Sequence, residues 1–106
     1  MKWFSFRRWI RFWWQRRTRG WDDATVWSLD GTIAAFILPR LKRFKEINKC
    51  YPPDLTPEKW NEILDKMILA MEFYSSENRF ASNKEAYEKA DEGIKLFAEW
   101  FIHLWY

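Results

Sequence analysis

The chain has one cysteine, one histidine and three glycines among 106 residues. Cys50 alone closes no intramolecular disulfide, and there is no cysteine cluster to hold a metal. Three glycines cannot build a phosphate-cradling loop, and no G-x-x-x-x-G-K-[ST], G-x-G-x-x-G or H-E-x-x-H occurs. The longest uninterrupted apolar run, Ile33–Leu38, is six residues, against roughly 20 for a membrane-spanning helix. The first twenty residues contain no acid. Arginines interrupt their apolar residues and no small-residue cleavage site follows, so they do not read as a signal peptide. Nucleophilic catalysis needs an activated Ser, Cys or Lys beside a base. His103 sits near the end of an aromatic helix, and nothing near Cys50 in sequence would depress its pKa. The chain therefore reads as non-enzymatic, with no catalytic residues, cofactor or metal. One Cys and one His fit a reducing cytoplasm.

Aromatic residues are abundant instead, at 21% with nine Trp. A chain this short forms one domain and buries about 60–70% of the surface its unfolded form exposes. Nine indoles do not fit such a core, so some belong at an interface, a ligand site or a membrane surface. Charge is uneven. Residues 1–20 carry seven Lys/Arg, whereas the rest carries eleven basic and fifteen acidic side chains, or −4. A basic head sits on a mildly acidic body, and Gly20 marks the boundary between segment 1–20 and a helical domain over 21–106.

In the head, Trp3, Phe6, Trp9, Ile10, Trp13 and Trp14 share one arc of a helix, with Arg7, Arg8, Arg11 and Arg19 opposite. Phe4, Phe12 and Arg17 fall off this pattern. A basic amphipathic helix suits a membrane surface, through Arg7, Arg8, Arg11, Trp9 and Trp13. The same Arg/Trp pairs suit nucleic acid, by stacking and phosphate contact. A tail that packs a few aromatics on the body is the plain alternative.

The body is expected to be all-α, a compact bundle of three to four helices around a Pro-kinked central helix. Leu29, Ile33, Phe36, Ile37, Leu41, Phe44 and Ile47 recur at a 3.6-residue period across Pro39, which either kinks the helix or begins a new one. Asp22 or Asp23 is expected to cap a helix. With Asp30 they lack the alternating ligands of a calcium loop. Thr56-Pro57-Glu58 starts a helix with stripe Trp60, Ile63, Leu64, Met67, Ile68, Met71 and Tyr74. Ser82 or Asn83 caps a last helix whose seam is Tyr87, Ala90, Ile94, Phe97, Phe101 and Leu104. Trp100, Trp105 and Tyr106 widen that face enough for two neighbours, which predicts a homo-oligomer. Gly93 within it permits a close helix approach or merely weakens the helix.

Arg40 and Arg43, neighbours on one helix face, form a second basic feature. Two forked guanidiniums suit phosphate or carboxylate, and Trp21 or Trp27 would stack a base. Arg40, Arg43, Trp21, Trp27 and Asp30 are thus the predicted ligand-binding set for a small nucleotide-type ligand, within one subunit or across a subunit boundary.

RGWDDATVWSLD, IAAFILPRLKRFKE, the proline loop and LTPEKWNEILDKMILAMEF resemble a group of small uncharacterised proteins of tailed bacteriophages. GIKLFAEWFIHLW looks like that group's C-terminal helix. The resemblance implies a phage origin and a host bacterial cytoplasm; it brings no activity and no functional residue. Small phage proteins without catalytic motifs act by binding. The leading expectation is a non-enzymatic protein that sequesters a nucleotide-derived host defence signal, an anti-defence sponge. The alternatives are an accessory protein that binds protein or nucleic acid through the head, or attachment to a membrane surface.

Overall fold

A computed structural model describes residues 2–20, 23–76 and 82–105, with the backbone alone at 2–6, 19, 24 and 25. Among the described residues the chain is all-helical, with no strand. The helices are α1 (Lys2–Arg19), α2 (Ala24–Trp27), α3 (Leu29–Ile47), α4 (Pro57–Ser75) and α5 (Lys84–Glu99). A 3-10 turn, Phe101–His103, follows.

The local signals explain the boundaries of α4 and α5. The Thr56 hydroxyl accepts from the Lys59 N–H, and Pro57 takes the first helical position, where a missing N–H costs nothing. Asn83 caps α5 by accepting from the Ala86 N–H. The helix stops at Trp100, so Phe101 and Leu104 of the expected seam leave it. α3 continues through Pro39. The proline donates no bond to the turn before it, and Arg40 donates from Nη1 to the neighbouring Phe36 carbonyl at 2.8 Å.

The central helix is α4, not α3 as the stripe suggested. α4 packs along both α3 and α5. It contributes Trp60, Leu64, Met67, Ala70 and Met71 to the buried set, against Ala34 and Leu41 from α3 and Ala90 and Gly93 from α5. Two properties of α4 account for this. Its large side chains Trp60, Leu64, Met67 and Met71 form a cluster with Ala34 and Leu41 of α3. Toward α5 it offers Ala70 to Gly93, where small residues let two backbones come close, with Trp60 against Trp100 and Phe73 against Tyr87 to either side. A Cβ built on Gly93 would lie 2.3 Å from the Lys66 carbonyl oxygen and 2.6 Å from Ala70 Cβ. Gly93 therefore serves close approach.

Ion pairs mark the same two contacts. Lys45 meets Asp65, and Lys42 lies 3.3 Å from Glu72, which runs α3 antiparallel to α4. Lys66 of α4 bonds Glu92 of α5 at 2.9 Å. Glu92, with a smaller effect from Glu62, holds the Lys66 ammonium above its ordinary 10.5. The interaction is present at neutral pH and is lost only as pH rises through that raised value. These pairs are exposed, so they set register more than they stabilise.

The expected core stripe of α3 divides. Leu41 is buried and Ile37, Phe44 and Ile47 are half-buried, but Leu29, Ile33 and Phe36 are 49 to 59% exposed. Ala34, absent from the expected stripe, is buried instead. The core side of α3 is rotated toward Ala34 and Leu41, which join the buried cluster of α4.

Gly93→Ala tests the α4–α5 crossing. In an open helix the change gains about 0.5–1 kcal/mol. Here the methyl meets backbone, and a loss of about 1–3 kcal/mol is expected from overpacking. Urea unfolding should show a lower midpoint at unchanged slope.

Candidate functional site

α1 is eighteen residues long, or about 27 Å, and it stands beside the bundle rather than in it. The chain's radius of gyration is 17.3 Å, against about 13 Å for a compact domain of this length. Gly20 ends the helix at φ 81°, with its N–H donating to the Arg16 carbonyl at 2.9 Å. That left-handed stop is glycine's usual place, and it turns the chain back along α1.

The turn is secured by Asp23. Gln15 donates from Nε2 to Asp23 Oδ2 and accepts from the Asp23 N–H at Oε1, both at 2.6 Å. Arg11 Nη2 reaches the same carboxylate oxygen at 2.6 Å. Asp23 was expected as a helix cap; it does stand at the start of α2, but its carboxylate makes no capping bond and ties α1 down instead. One turn away, Phe12 packs edge-on against Trp27 at 5.3 Å between ring centroids. The Arg8 guanidinium lies 4.9 Å from the Trp27 ring centroid. Arg8, Arg11, Phe12 and Gln15 are spaced 3, 1 and 3 apart, which is one face of a helix. Phe12, off the amphipathic pattern in sequence, belongs to this docking face.

The opposite arc follows by geometry. Trp9, Ile10, Trp13 and Trp14 are 40 to 59% exposed. Trp13 and Trp14 lie 5.6 Å apart, and the Arg17 guanidinium sits 5.3 Å from the Trp13 ring. Arg17 too is thus part of the aromatic arc. A shallow groove lined by Arg7, Ile10, Arg11, Trp14, Gln15 and Thr18 runs beside it. The polar side of α1 is used to hold the helix, and the aromatic side faces outward with arginines along its edges.

The predicted ligand-binding set is dispersed within one chain. Trp21 lies outside the described residues. Trp27 is occupied by Arg8 and Phe12. The Asp30 carboxylate accepts from the Gly31 N–H at 2.8 Å. Arg40 folds over the Phe36 ring at 3.8 Å, and Arg43 pairs with Glu46 at 3.0 Å. Asp30 and Arg40 are ten positions apart on α3, about 15 Å of helix rise. Lys42 and Lys45 on the same basic half also meet carboxylates.

Elsewhere the chemistry is sparse. The His103 ring lies tilted against Trp100, with centroids 5.4 Å apart. Cys50 is exposed in a loop where the Asn48 side chain brackets it, accepting from its N–H and donating to its carbonyl. Among the described residues, no group of His, Cys, Asp and Glu could hold a metal ion, and no helix is long and apolar enough to cross a membrane. No family model, curated protein or solved structure matches the chain.

Asp23→Ala should release α1 from the body. Amide exchange across 7–20 is expected to accelerate by about tenfold or more, since the two bonds to the Asp23 carboxylate are lost and each contributes about 1 kcal/mol or more, while the backbone bond to Gln15 does not need that side chain. Exchange in α4 should be unchanged.

Proposed function

We propose that the protein binds an anionic membrane surface through the outward arc of α1. The observation that carries this reading is orientation. The fold spends Arg8, Arg11, Phe12 and Gln15 on the 23–27 segment, which leaves Trp9, Ile10, Trp13 and Trp14 on the side away from it. Four contiguous apolar side chains, edged by Arg7 and Arg16 and continued by Arg17 over Trp13, suit the headgroup boundary, where indoles sit at the interface and guanidiniums meet lipid phosphates. Single-stranded nucleic acid is the nearest competitor. Stacking on bases needs open ring faces, and one face of Trp13 already carries Arg17.

On this reading α1 is an in-plane anchor and the acidic body stays in solution. The phage resemblance would place it on the inner face of the host cell's membrane, with a homo-oligomer presenting several copies of α1 at once. The nucleotide-sponge reading needs Arg40, Arg43, Trp27 and Asp30 to meet, which their separation along one chain disfavours; it would depend on assembly.

Flotation with phosphatidylglycerol-containing vesicles tests the proposal. The wild-type chain should float with them and not with purely zwitterionic ones. Binding should weaken as salt is raised from about 0.1 M to about 1 M, where the screening length falls from about 10 to about 3 Å. Trp9→Ala/Trp13→Ala/Trp14→Ala should lower partitioning by at least about tenfold, because burying one large apolar side chain contributes roughly 1.5–3 kcal/mol. Equal flotation of wild type and triple variant, or tighter binding to a single-stranded oligonucleotide than to vesicles, would overturn it.

A further inference from the structure

α3 carries a second stripe, on the side that α4 does not cover. Leu29, Ile33, Phe36, Arg40, Arg43 and Ile47 follow one another at spacings of 4, 3, 4, 3 and 4, a heptad seam. Its three leading apolar members are about half exposed or more: Leu29 52%, Ile33 49% and Phe36 59%. Arg40 lies flat on this seam, with its guanidinium over the Phe36 ring. Beside it runs an apolar groove of about 270 Å³ lined by Ile37, Arg40, Leu41, Phe44, Phe97, Phe101 and Leu104. The body thus exposes a continuous apolar strip that neither α1 nor α4 accounts for.

We infer that this stripe is the interface with a second copy of the chain, the two α3 helices packing antiparallel about a two-fold axis between Ile33 and Phe36. The charge distribution selects this occupant and this direction. The stripe is apolar at its start, flanked there by Asp30, and cationic at Arg40 and Arg43. Parallel in-register pairing would set Arg40 on Arg40 and Arg43 on Arg43, a like-charge penalty at two successive layers. The antiparallel arrangement sets Ile33 against Phe36 and brings Arg40 of one copy opposite Leu29 and beside Asp30 of the other. A self-complementary patch is what a two-fold contact requires.

The same register brings together two residues that sequence reasoning grouped as a site: Arg40 from one copy meets Asp30 from the other, at two equivalent places. The inference stands apart from the lipid reading, since α1 contributes nothing to the stripe.

Light scattering on a sizing column, with the full chain, tests it. The wild type should elute at twice the chain mass of 13.2 kDa. Ile33→Glu/Phe36→Glu should elute at 13.2 kDa with unchanged helical circular dichroism. Asp30→Arg and Arg40→Asp should each raise the dissociation midpoint at least about tenfold, and the two combined should restore it. The charge-swap rescue decides the matter even where the double glutamate variant fails to fold. A wild type at the mass of one chain, a glutamate variant that keeps the doubled mass, or a combined swap no better than its parents would overturn the inference. Loss of vesicle flotation in Ile33→Glu/Phe36→Glu beside a monomeric wild type would assign the stripe to lipid instead.

Discussion

The backbone of α5 comes against α4 where Gly93 meets the Lys66 carbonyl and Ala70. Much else depends on that contact. With no side chain in the way, α5 comes close enough for Ala70 and Ala90 to be buried to within 1%. The large side chains of α4, Trp60, Leu64, Met67 and Met71, then form one cluster with Ala34 and Leu41 of α3, and Ile94, Phe97 and Trp100 of the α5 segment pack against it. Three helices arranged with α4 in the middle have a consequence for the outer two. Each packs on α4 along one side, and α3 keeps Leu29, Ile33 and Phe36 exposed on another.

The N-terminal helix is governed by a different constraint. A carboxylate at Asp23 gathers Arg11 and Gln15, and an indole at Trp27 gathers Arg8 and Phe12. Polar and cation–aromatic contacts of this kind are directional, so they fix which side of α1 is turned inward. The apolar arc is left outside as a consequence. An amphipathic helix folding with its polar side inward runs against ordinary core formation, and that inversion is what favours an interfacial role for α1.

Part of this was legible in the sequence. Thr56-Pro57 and Asn83 specify helix starts through local chemistry, and both operate as expected. The stripe of α4 was readable because a helix covered on two sides buries or half-buries every member of its stripe, from Trp60 to Tyr74. The stripe of α3 was not. Leu29, Ile33, Phe36, Leu41 and Phe44 share one period in sequence, yet they divide between a core side and an open side. Periodicity gives the spacing of an apolar face and leaves its width and its partner open. The candidate site was harder still. Arg40 and Arg43 were visible as neighbours, but Glu46 and the Phe36 ring occupy them. Phe12 and Arg17 looked like violations of an amphipathic pattern, when each has a specific aromatic partner.

From the sequence alone came the helical class, the caps at Thr56 and Asn83, the helix end at Gly20 and the basic aromatic head, all of them set by contacts within a few residues. Only the tertiary structure decided which helix stands in the centre, which side of α1 faces outward and which half of the α3 stripe stays bare. Those outcomes rest on contacts between residues far apart in the chain: Gly93 with Lys66, and Asp23 and Trp27 with α1. Local pattern names the faces that can be buried; only long-range packing, by filling some and leaving others, selects among them.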